Sequence, residues 1–344
     1  MKENINPNRA FKLVLTLAAL FIIISGLKAA KIILVPFLFA IFLAILAHQP
    51  VNFLSKYKIP RYLSIIIVSA LFLSVFIVLG AIVASSIDQF TKSIPSYYGN
   101  LDALLSSLAS YLQSKGLEVD KSYLVETIDI KNYMSFFTST LAGLGSALSR
   151  ILLVLIMMIF LLLESATLKE KFKTSLGNKL NLNRFFDVSK DIQRYLAIKT
   201  ITSLITGLTV WGVTLYLGVD FANLWGFLAF ILNYIPVVGS TIAAVPACIL
   251  YTLQFGFYDG LTLIIIYFVI NMTISSLVEP ILLGRKLGLS VLVIFVSLLF
   301  WGWIWGPAGA LMSVPLTMIL KILCEHSDDF SWVSVLMGPK LKKS

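Results

Sequence analysis

Only 13% of the 344 residues are charged, about half of the roughly 25% that is usual in soluble domains. Hydrophobic residues make up 58% of the chain and its mean hydropathy is +0.93, which excludes an ordinary water-soluble globule. The net charge of +10 does not indicate nucleic-acid binding, because the cations lie in short stretches between apolar blocks without interleaved aromatic residues. We interpret the cations as cytoplasmic loops of a membrane protein that follows the positive-inside rule.

Charge-poor stretches at the N-terminus predict three membrane spans within residues 1–87. Crossing a hydrocarbon core of about 30 Å takes roughly 20 residues of apolar helix. The stretches that end at Lys28 and at His48 are shorter than this, so we expect their flanking lysines to reach the interface. Residues 62–87 contain no charge and form the clearest span.

Residues 88–148 differ in composition from the spans before them. Charged residues return, and leucines recur at helical spacing among serines at Leu101, Leu104, Leu105, Leu108 and Leu112. This pattern predicts amphipathic helices outside the bilayer core. Their apolar faces either pack on a partner helix or lie in the membrane interface, and the spacing leaves both possibilities open.

Residues 149–199 combine a short fourth span with a basic segment. The span covers about Ser149 to Leu163, and residues 164–199 then carry eight Lys and Arg against four acids. The positive-inside rule places this segment, the N-terminus and the tail of residues 322–344 in the cytoplasm. Residues 88–148 then lie on the outer side of the membrane.

The C-terminal half contains a fifth span, residues 200–219, and two unusually long charge-free blocks. The blocks have 38 residues at 221–258 and 34 residues at 287–320, each too long for one span and too short for two. Each also has a central break, at Pro236–Gly239 in the first and at Gly302–Gly309 in the second. We predict two helical hairpins that turn at these breaks, with long kinked helices as the alternative.

Two observations favour the hairpins. They put Arg285 and Lys286 on the cytoplasmic side, as the positive-inside rule requires. In addition, the segment Gly239–Pro246 resembles Gly309–Pro315, so that a unit of one span plus one hairpin occurs twice in opposite orientations. Inverted repeats with broken helices are typical of secondary transporters, which predicts a transport core at residues 200–321. Coincidence between two apolar segments is the alternative.

Motifs of soluble enzymes are absent from the sequence. His48 and His326 stand at span ends without partners at metal-binding spacing, and Cys248 and Cys324 are too far apart for a zinc site. No phosphate-binding glycine loop or nucleophile elbow occurs. We therefore predict a protein that is not an enzyme and that uses neither a metal nor a cofactor.

The turn of the first hairpin carries candidate solute-binding residues. A transporter must replace the water that its solute loses, and Asn233, Ser240 and Thr241 offer an amide and two hydroxyls beside Pro236. Half-helix ends and free carbonyls at such a break suit a polar solute or a cation. Capping of the broken helix is the alternative interpretation.

Polar residues also recur every four positions along and just beyond the seventh span, residues 260–278. Asn271, Ser275 and Glu279 should share one helix face that looks at protein or water. Glu279, which precedes Pro280, fits a proton or cation site, a salt-bridged gate residue beside Arg285, or simply the charged end of a span. A weaker stripe on the fifth span, which back-bonding to the helix explains better, consists of Thr202, Thr206 and Thr209.

Three ordered motifs resemble the autoinducer-2 exporter family of bacterial membrane proteins. They read Asn-Tyr-Ile-Pro-Val-Val-Gly at 233–239, Val-Glu-Pro-Ile-Leu-Leu-Gly-Arg-Lys-Leu-Gly-Leu-Ser at 278–290, and Trp-Gly-Pro-Ala-Gly-Ala-Leu-Met-Ser-Val-Pro-Leu at 305–316. The segment Tyr195–Thr200 is also similar to the family. The chain departs from the common pattern at Val291, where a proline often follows the serine.

The resemblance implies a polytopic inner-membrane transporter of about eight spans, a homo-oligomer and specifically a pentamer, with an elevator-like motion. Some members are taken as exporters of autoinducer-2, a small polyhydroxylated compound, and others are associated with sodium/proton antiport. The positions that match the family motifs are Asn233, Pro236, Gly239, Glu279, Pro280, Gly284, Gly306, Gly309 and Pro315. Pro246 and Arg285 join them as structural positions.

Together these features predict an all-α protein that spans the lipid bilayer and exports a small polar solute. The solute pathway lies at the two breaks, and a proton or sodium ion is the coupling partner. The first alternative is a cation/proton antiporter that uses Glu279, and the second is a membrane scaffold without transport.

Overall fold

The described part of the chain is built from helices. A computed structural model describes residues 7–115, 150–176, 182–236, 238–283, 288–325 and 330–338, with isolated positions between 135 and 146, and these residues contain no strand. This confirms the all-α prediction. In chain order the helices are α1 (Pro7–Ala29), α2 (Lys31–Lys56), α3 (Arg61–Ser114), α4 (Ile151–Leu176), α5 (Leu182–Tyr216), α6 (Ala222–Leu232), α7 (Gly239–Phe255), α8 (Phe257–Thr273), a π-helical segment (Ile274–Val278), α9 (Glu279–Leu283), α10 (Val291–Trp305), α11 (Pro307–Glu325) and α12 (Ser331–Met337).

Helices of membrane length dominate the described chain. Five are long and apolar enough to cross a bilayer: Lys31–Lys56, Arg61–Ser107, Lys190–Tyr216, Phe257–Leu282 and Pro307–Glu325. Shorter apolar helices accompany them at Val14–Ala29, Ile151–Ser165, Ala222–Leu232, Gly239–Phe255 and Val291–Trp305. Large apolar side chains such as Phe21 and Ile33 are mostly exposed on these helices, as suits contact with lipid. The chain is therefore a polytopic membrane protein.

Helix α3 continues far beyond the third span. It runs without interruption for 54 residues, so the domain boundary that we expected at residue 87 falls inside a helix. Leu105 is buried, and Leu101 and Leu104 pack against the core that α5 to α8 form. These contacts favour packing on partner helices over contact with the membrane interface. The side chains of Leu108 and Leu112 lie outside the described part of the structure.

A tyrosine ties the extension of α3 to the loop between α5 and α6. The Tyr97 hydroxyl donates a hydrogen bond of 2.7 Å to Asp220 Oδ2. Trp225, which is fully buried, donates from Nε1 to the carbonyl oxygen of Asp220 at 2.6 Å. The extension of α3 therefore braces the base of the first hairpin, where α6 begins.

Removing the Tyr97 hydroxyl should weaken this brace. We expect Tyr97→Phe to lower the free energy of unfolding by about 1 kcal/mol, because one partly buried hydrogen bond to a carboxylate is lost. The measurement is the melting temperature of the purified protein in detergent. Tyr98→Phe is the control, since the neighbouring Tyr98 side chain is exposed and should change little. Equal shifts in both variants would contradict the bracing role of Tyr97.

Helices α2, α3 and α4 form a separate bundle around small and aliphatic residues. Ala40 and Ala47 of α2 are fully buried, and they lie in one cluster with Ile65 of α3 and with Met158 and Leu162 of α4. Small residues let helices approach closely, which is the usual way that helices associate where lipid removes the hydrophobic driving force. This bundle also contacts the first hairpin, because the ring of Phe42 in α2 packs edge-on against that of Tyr234, with the ring centroids 5.9 Å apart.

Both long charge-free blocks fold as helical hairpins, as predicted. In the first, α6 and α7 are antiparallel, and the amide of Asp220 donates to Gln254 Oε1 at 3.3 Å across their base. In the second, Trp301 of α10 donates from Nε1 to Thr317 Oγ1 of α11 at 3.0 Å. Lys321 Nζ donates to the carbonyl oxygen of Gly288 at 2.6 Å at the base of this hairpin. Neither block is one long kinked helix.

Equivalent glycines lie in the first turn of the second arm of each hairpin. A Cβ atom at Gly239 would overlap the carbonyl oxygen of Leu232 at the end of α6, and one at Gly309 would overlap that of Trp301 in α10. The two glycines align in the sequence echo and make the same backbone contact. This shared contact supports a structural repeat rather than coincidence.

The hairpins run in opposite directions beside α5. The turn of the first hairpin reaches the middle of α5, where the Tyr234 hydroxyl donates to Thr200 Oγ1 at 2.7 Å. The base of the second hairpin packs on α5 about one helical turn earlier, since Leu289 and Ile322 share a cluster with Leu196. Opposed directions are what an inverted repeat requires.

The turn of the first hairpin also touches the second hairpin. Ile235, in the turn of the first hairpin, is buried against the second hairpin in a small apolar cluster that also contains Leu298 and Ala310. Ala310 stands four residues after Gly306, at which α10 gives way to α11. Ile235 thus touches the second hairpin about one helical turn from its break, and one shared solute site at the two breaks stays a prediction.

Candidate functional site

Polar side chains gather where the turn of the first hairpin meets α5. Asn233 Nδ2 donates to Ser203 Oγ at 3.1 Å, and both side chains are buried. Tyr234 and Thr200 form the neighbouring hydrogen bond. The turn of the first hairpin is thus hydrogen-bonded to two positions of α5 that lie about one helical turn apart. We call the set Lys199, Thr200, Ser203, Asn233, Tyr234 and Glu279 the polar cluster.

An ion pair completes the polar cluster. Lys199 Nζ lies 2.7 Å from Glu279 Oε1 and 2.8 Å from Oε2. The lysine side chain is 4% exposed and that of the glutamate 17%. Both residues belong to helices of membrane length. Charges in such a place are costly unless paired, and they are typical of functional sites in membrane proteins.

Lys199 is the site residue that sequence reasoning missed. Its charge marks the start of the predicted fifth span at 200–219, but α5 begins at Leu182 and carries Lys199 near its middle. The available signal was the family-like segment Tyr195–Thr200, which contains it. The partner of Glu279 is therefore Lys199, which lies 80 residues earlier. Arg285, the expected neighbour, lies outside the described residues, as does Gly284.

Residues after the first turn divide between buried and exposed positions. Three residues that follow Asn233 and Tyr234 in the chain are buried, namely Pro236, Gly239 and Ser240. Thr241 is exposed. Successive residues of a helix point about 100° apart, so Ser240 and Thr241 cannot both look at the site. Of the two hydroxyls that we expected beside Asn233, the structure keeps Ser240 inside and leaves Thr241 outside.

The predicted polar face of the seventh span is interrupted. Asn271 and Glu279 are partly buried, but Ser275 is exposed, contrary to the expectation of one shared face. The reason is the π-helical segment Ile274–Val278, in which each turn takes more residues than in an α-helix, so a four-residue spacing no longer keeps one face. Single-turn π segments inside α-helices are frequent at functional sites.

The threonine stripe on α5 is largely structural. Thr202 Oγ1 donates to the carbonyl oxygen of Lys199 at 3.1 Å, and Thr206 Oγ1 donates to that of Thr202 at 2.8 Å. Both side chains are buried, whereas Thr209 is exposed. Back-bonding to the helix, the preferred interpretation of this stripe, is confirmed for Thr202 and Thr206.

The turn of the second hairpin is held by the junction of α1 and α2. Trp305 Nε1 donates to the carbonyl oxygen of Leu27 at 3.0 Å, and Lys28 Nζ lies 3.3 Å from the ring centroid of Trp303. Gly306 follows at the turn with a φ of +69°, which glycine adopts without strain. Further along the hairpin, Pro315 is buried in α11.

The remaining motif prolines have different surroundings. Pro246 lies partly buried inside α7, and Pro280 is exposed at the start of α9, directly after Glu279. Neither contributes a polar group to the site. The roles of the motif positions in a solute pathway stay predictions.

The side chains of the polar cluster are suited to binding a solute. The polar cluster offers one ammonium, one carboxylate, an amide and several hydroxyls in a buried place. Within the described residues, no group of three His, Cys, Asp or Glu could hold a metal ion. An arrangement of this kind can bind a polar or charged solute in exchange for its water.

Comparison with known proteins assigns the family. A sequence model of the AI-2E family transporters matches residues 13–328. The chain belongs to the AI-2E transporter family. This confirms the resemblance that the three motifs carry, and it makes the polytopic membrane protein described above a member of a family of transporters.

Relatives within the AI-2E transporter family align along the whole chain. The AI-2 transport protein TqsA of Escherichia coli strain K12 is 37% identical over 342 residues, covering 98% of each chain. A putative transport protein of Haemophilus influenzae is 36% identical over 345 residues, again covering 98% of each chain. The putative transport protein YhhT of Escherichia coli K12 is 34% identical over 333 residues, which are 96% of this chain and 95% of YhhT.

Proposed function

We propose that this protein is a secondary carrier of the bacterial inner membrane that exports a small polar molecule through the polar cluster. The observation that carries the proposal is the buried polar cluster at the point where two opposed helical hairpins meet. Both termini lie in the cytoplasm in this proposal, in accordance with the distribution of Lys and Arg.

Autoinducer-2 is the first candidate solute. A relative with 37% identity bears the name AI-2 transport protein, and its alignment covers 98% of this chain. Polyhydroxylated solutes need both donors and acceptors of hydrogen bonds. The Asn233 amide and the hydroxyls of Ser203 and Tyr234 supply both kinds in a buried place.

An elevator-like motion in a homo-oligomer, a pentamer, is part of the proposal. Two large apolar clusters support it, one around α2–α4 and one around the first hairpin, because a fixed bundle and a moving core are the two parts that such a motion needs. The contacts that α2 and α3 make with both parts would have to change as the core moves. The contact between the Trp305 side chain and the α1–α2 junction would have to break as the hairpin core moves.

Cation/proton antiport is the second candidate function. The Glu279 carboxylate lies in a helix of membrane length, which favours a role for this charge. Lys199 already occupies both carboxylate oxygens, so a sodium ion could bind only after displacing the lysine. A non-transporting scaffold would need neither residue for its activity.

Uptake by reconstituted vesicles tests the carrier function. We expect vesicles with the wild-type protein to accumulate labelled autoinducer-2, and Asn233→Ala to slow the initial rate about tenfold or more, because one buried hydrogen bond to the solute is lost. Asn223→Ala is the matched control, since that asparagine bonds to Trp211 at the exposed surface, and its uptake should be within about twofold of wild type.

Other outcomes of the same experiment select the alternatives. Background uptake by the wild type, together with sodium-driven pH changes that Glu279→Gln abolishes, would replace export by antiport. If both the autoinducer-2 uptake and the sodium-driven pH change stay at background, the non-transporting scaffold is the remaining function.

A further inference from the structure

One partner of the buried ion pair is firmly held. Lys199 lies near the middle of the 35-residue helix α5, with buried residues Leu196 and Ser203 on the same side. Its carbonyl oxygen accepts the hydrogen bond from Thr202. The backbone that carries its ammonium group is therefore firmly held beside the turn of the first hairpin.

The other partner, Glu279, lies in a short helical element. Glu279 begins α9, which has only five residues and follows the π-helical segment directly. Pro280 has no amide hydrogen, so a carbonyl of the preceding turn receives no backbone hydrogen bond from it. Leu277 and Ile281, which flank Glu279, are mostly exposed and add little to the packing of this segment on α5.

The π-helical segment provides a way to withdraw Glu279. Conversion of such a segment to a regular α-helix shifts the following residues by one position, which rotates them by about 100°. That rotation would carry the Glu279 carboxylate away from Lys199. The fixed lysine would then be a buried ammonium without a counter-charge, which is strongly unfavourable. An anion must take the place of the carboxylate if the open arrangement is to persist.

We propose that Lys199 is the solute-binding cation of this carrier and that Glu279 occupies its anion position when no solute is bound. The solute class is then a small hydroxylated organic anion, whose carboxylate or phosphate replaces Glu279. This inference rests on the proposed carrier function and narrows its small polar molecule. It predicts that neutral polyols, such as uncharged autoinducer-2, bind more weakly than anionic polyols of the same size.

A pair of five-carbon probes tests the inference on the purified full-length protein. D-ribonate carries a carboxylate and D-ribose has none, and each is titrated at constant ionic strength while the melting temperature is recorded. We expect ribonate to raise the melting temperature of the wild type and ribose to leave it unchanged. Lys199→Gln should abolish the response to ribonate. Lys56→Gln, an exposed lysine at the end of α2, is the matched control and should respond as the wild type does.

Glu279→Gln gives the most diagnostic result. Removing the internal competitor should lower the apparent Kd for ribonate by about tenfold or more, since a binding-competent state that is populated at about 10% or less becomes the only one. A purely structural ion pair predicts the opposite, a destabilised protein that no anion restores. An unchanged or absent response to ribonate in Glu279→Gln therefore overturns the proposal.

A charge-neutral double variant covers the case in which single variants fail to fold. Lys199→Gln with Glu279→Gln removes both charges and leaves neither unpaired, so the cost of an isolated buried charge does not arise. Loss of the ribonate response in this variant supports the proposal, and a response equal to wild type overturns it. Stabilisation of Lys199→Gln by sodium ions would assign Glu279 to a cation instead and also overturn it. If the ribonate tests fail but Asn233→Ala still loses uptake, the proposed carrier function is retained and the proposed anion-binding role of Lys199 is rejected.

Discussion

Valine at Gly239 or at Gly309 is expected to prevent the corresponding hairpin from closing. The Cβ atom alone would overlap the carbonyl oxygen of Leu232 in the first case and of Trp301 in the second, and valine adds two methyl groups. Backbone atoms cannot move aside as the end of a flexible side chain can. We expect each variant to lose about 3 kcal/mol of stability, at the upper end of the usual cost of overpacking, and to lose uptake as well.

Gly80→Val on α3 serves as the control, because nothing lies within 4 Å of a Cβ atom at that position. The measurements are the melting temperature in detergent and the initial rate of autoinducer-2 uptake by vesicles. The two hairpin variants should behave alike, since their glycines make the same contact in each repeat. Wild-type stability of either hairpin variant would show that its hairpin closes in another way.

Leucine at Gly207 or Gly226 is expected to separate α5 from α6 and to remove uptake. The two helices cross in backbone contact, because a Cβ atom at Gly207 would lie 2.8 Å from the carbonyl oxygen of Gly226. One at Gly226 would lie 2.6 Å from Trp211 Cβ. Close crossings of this kind depend on small residues in membrane proteins.

The loss of uptake follows from the position of the polar cluster. Asn233 and Tyr234 stand at the end of α6 and bond to α5, so a wider crossing pulls both hydrogen bonds apart. A displacement of about 1 Å at a binding site can reduce a rate by two orders of magnitude. Gly212→Leu on α5 is the control, since its surroundings are open, and it should keep uptake close to wild type. Normal uptake by Gly226→Leu would contradict the requirement for this crossing.

Local signals were sufficient to predict the two breaks. Pro236 and Gly239 interrupt one charge-free block, and Gly306 and Gly309 interrupt the other. A proline lacks the amide hydrogen that a helix needs, and a glycine permits the close contact or the positive φ of a tight turn. Both properties belong to the residue itself, so the hairpins were predictable without knowledge of what surrounds them.

The ion pair could not be predicted in the same way. Lys199 stands at the end of a basic segment, where a lysine is ordinarily a boundary residue facing the cytoplasm. Its burial depends on Glu279, which is distant in the chain and reaches it only through the packing of α9 on α5. The exposure of Ser275 could not be predicted either, because a prediction from regular α-helical spacing does not include a π-helical segment.

The sequence by itself determined the membrane class, the approximate order of the spans and the places where two of them break. These properties depend on the spacing of charges, prolines and glycines among residues that are neighbours in the chain. Only the tertiary structure decided that Ile235 at the first break packs on the second hairpin, that Asn233 meets Ser203, and that Lys199 pairs with Glu279. Such pairings depend on how distant helices cross, and the energy of a buried charge or amide is set by the partner that the crossing brings to it.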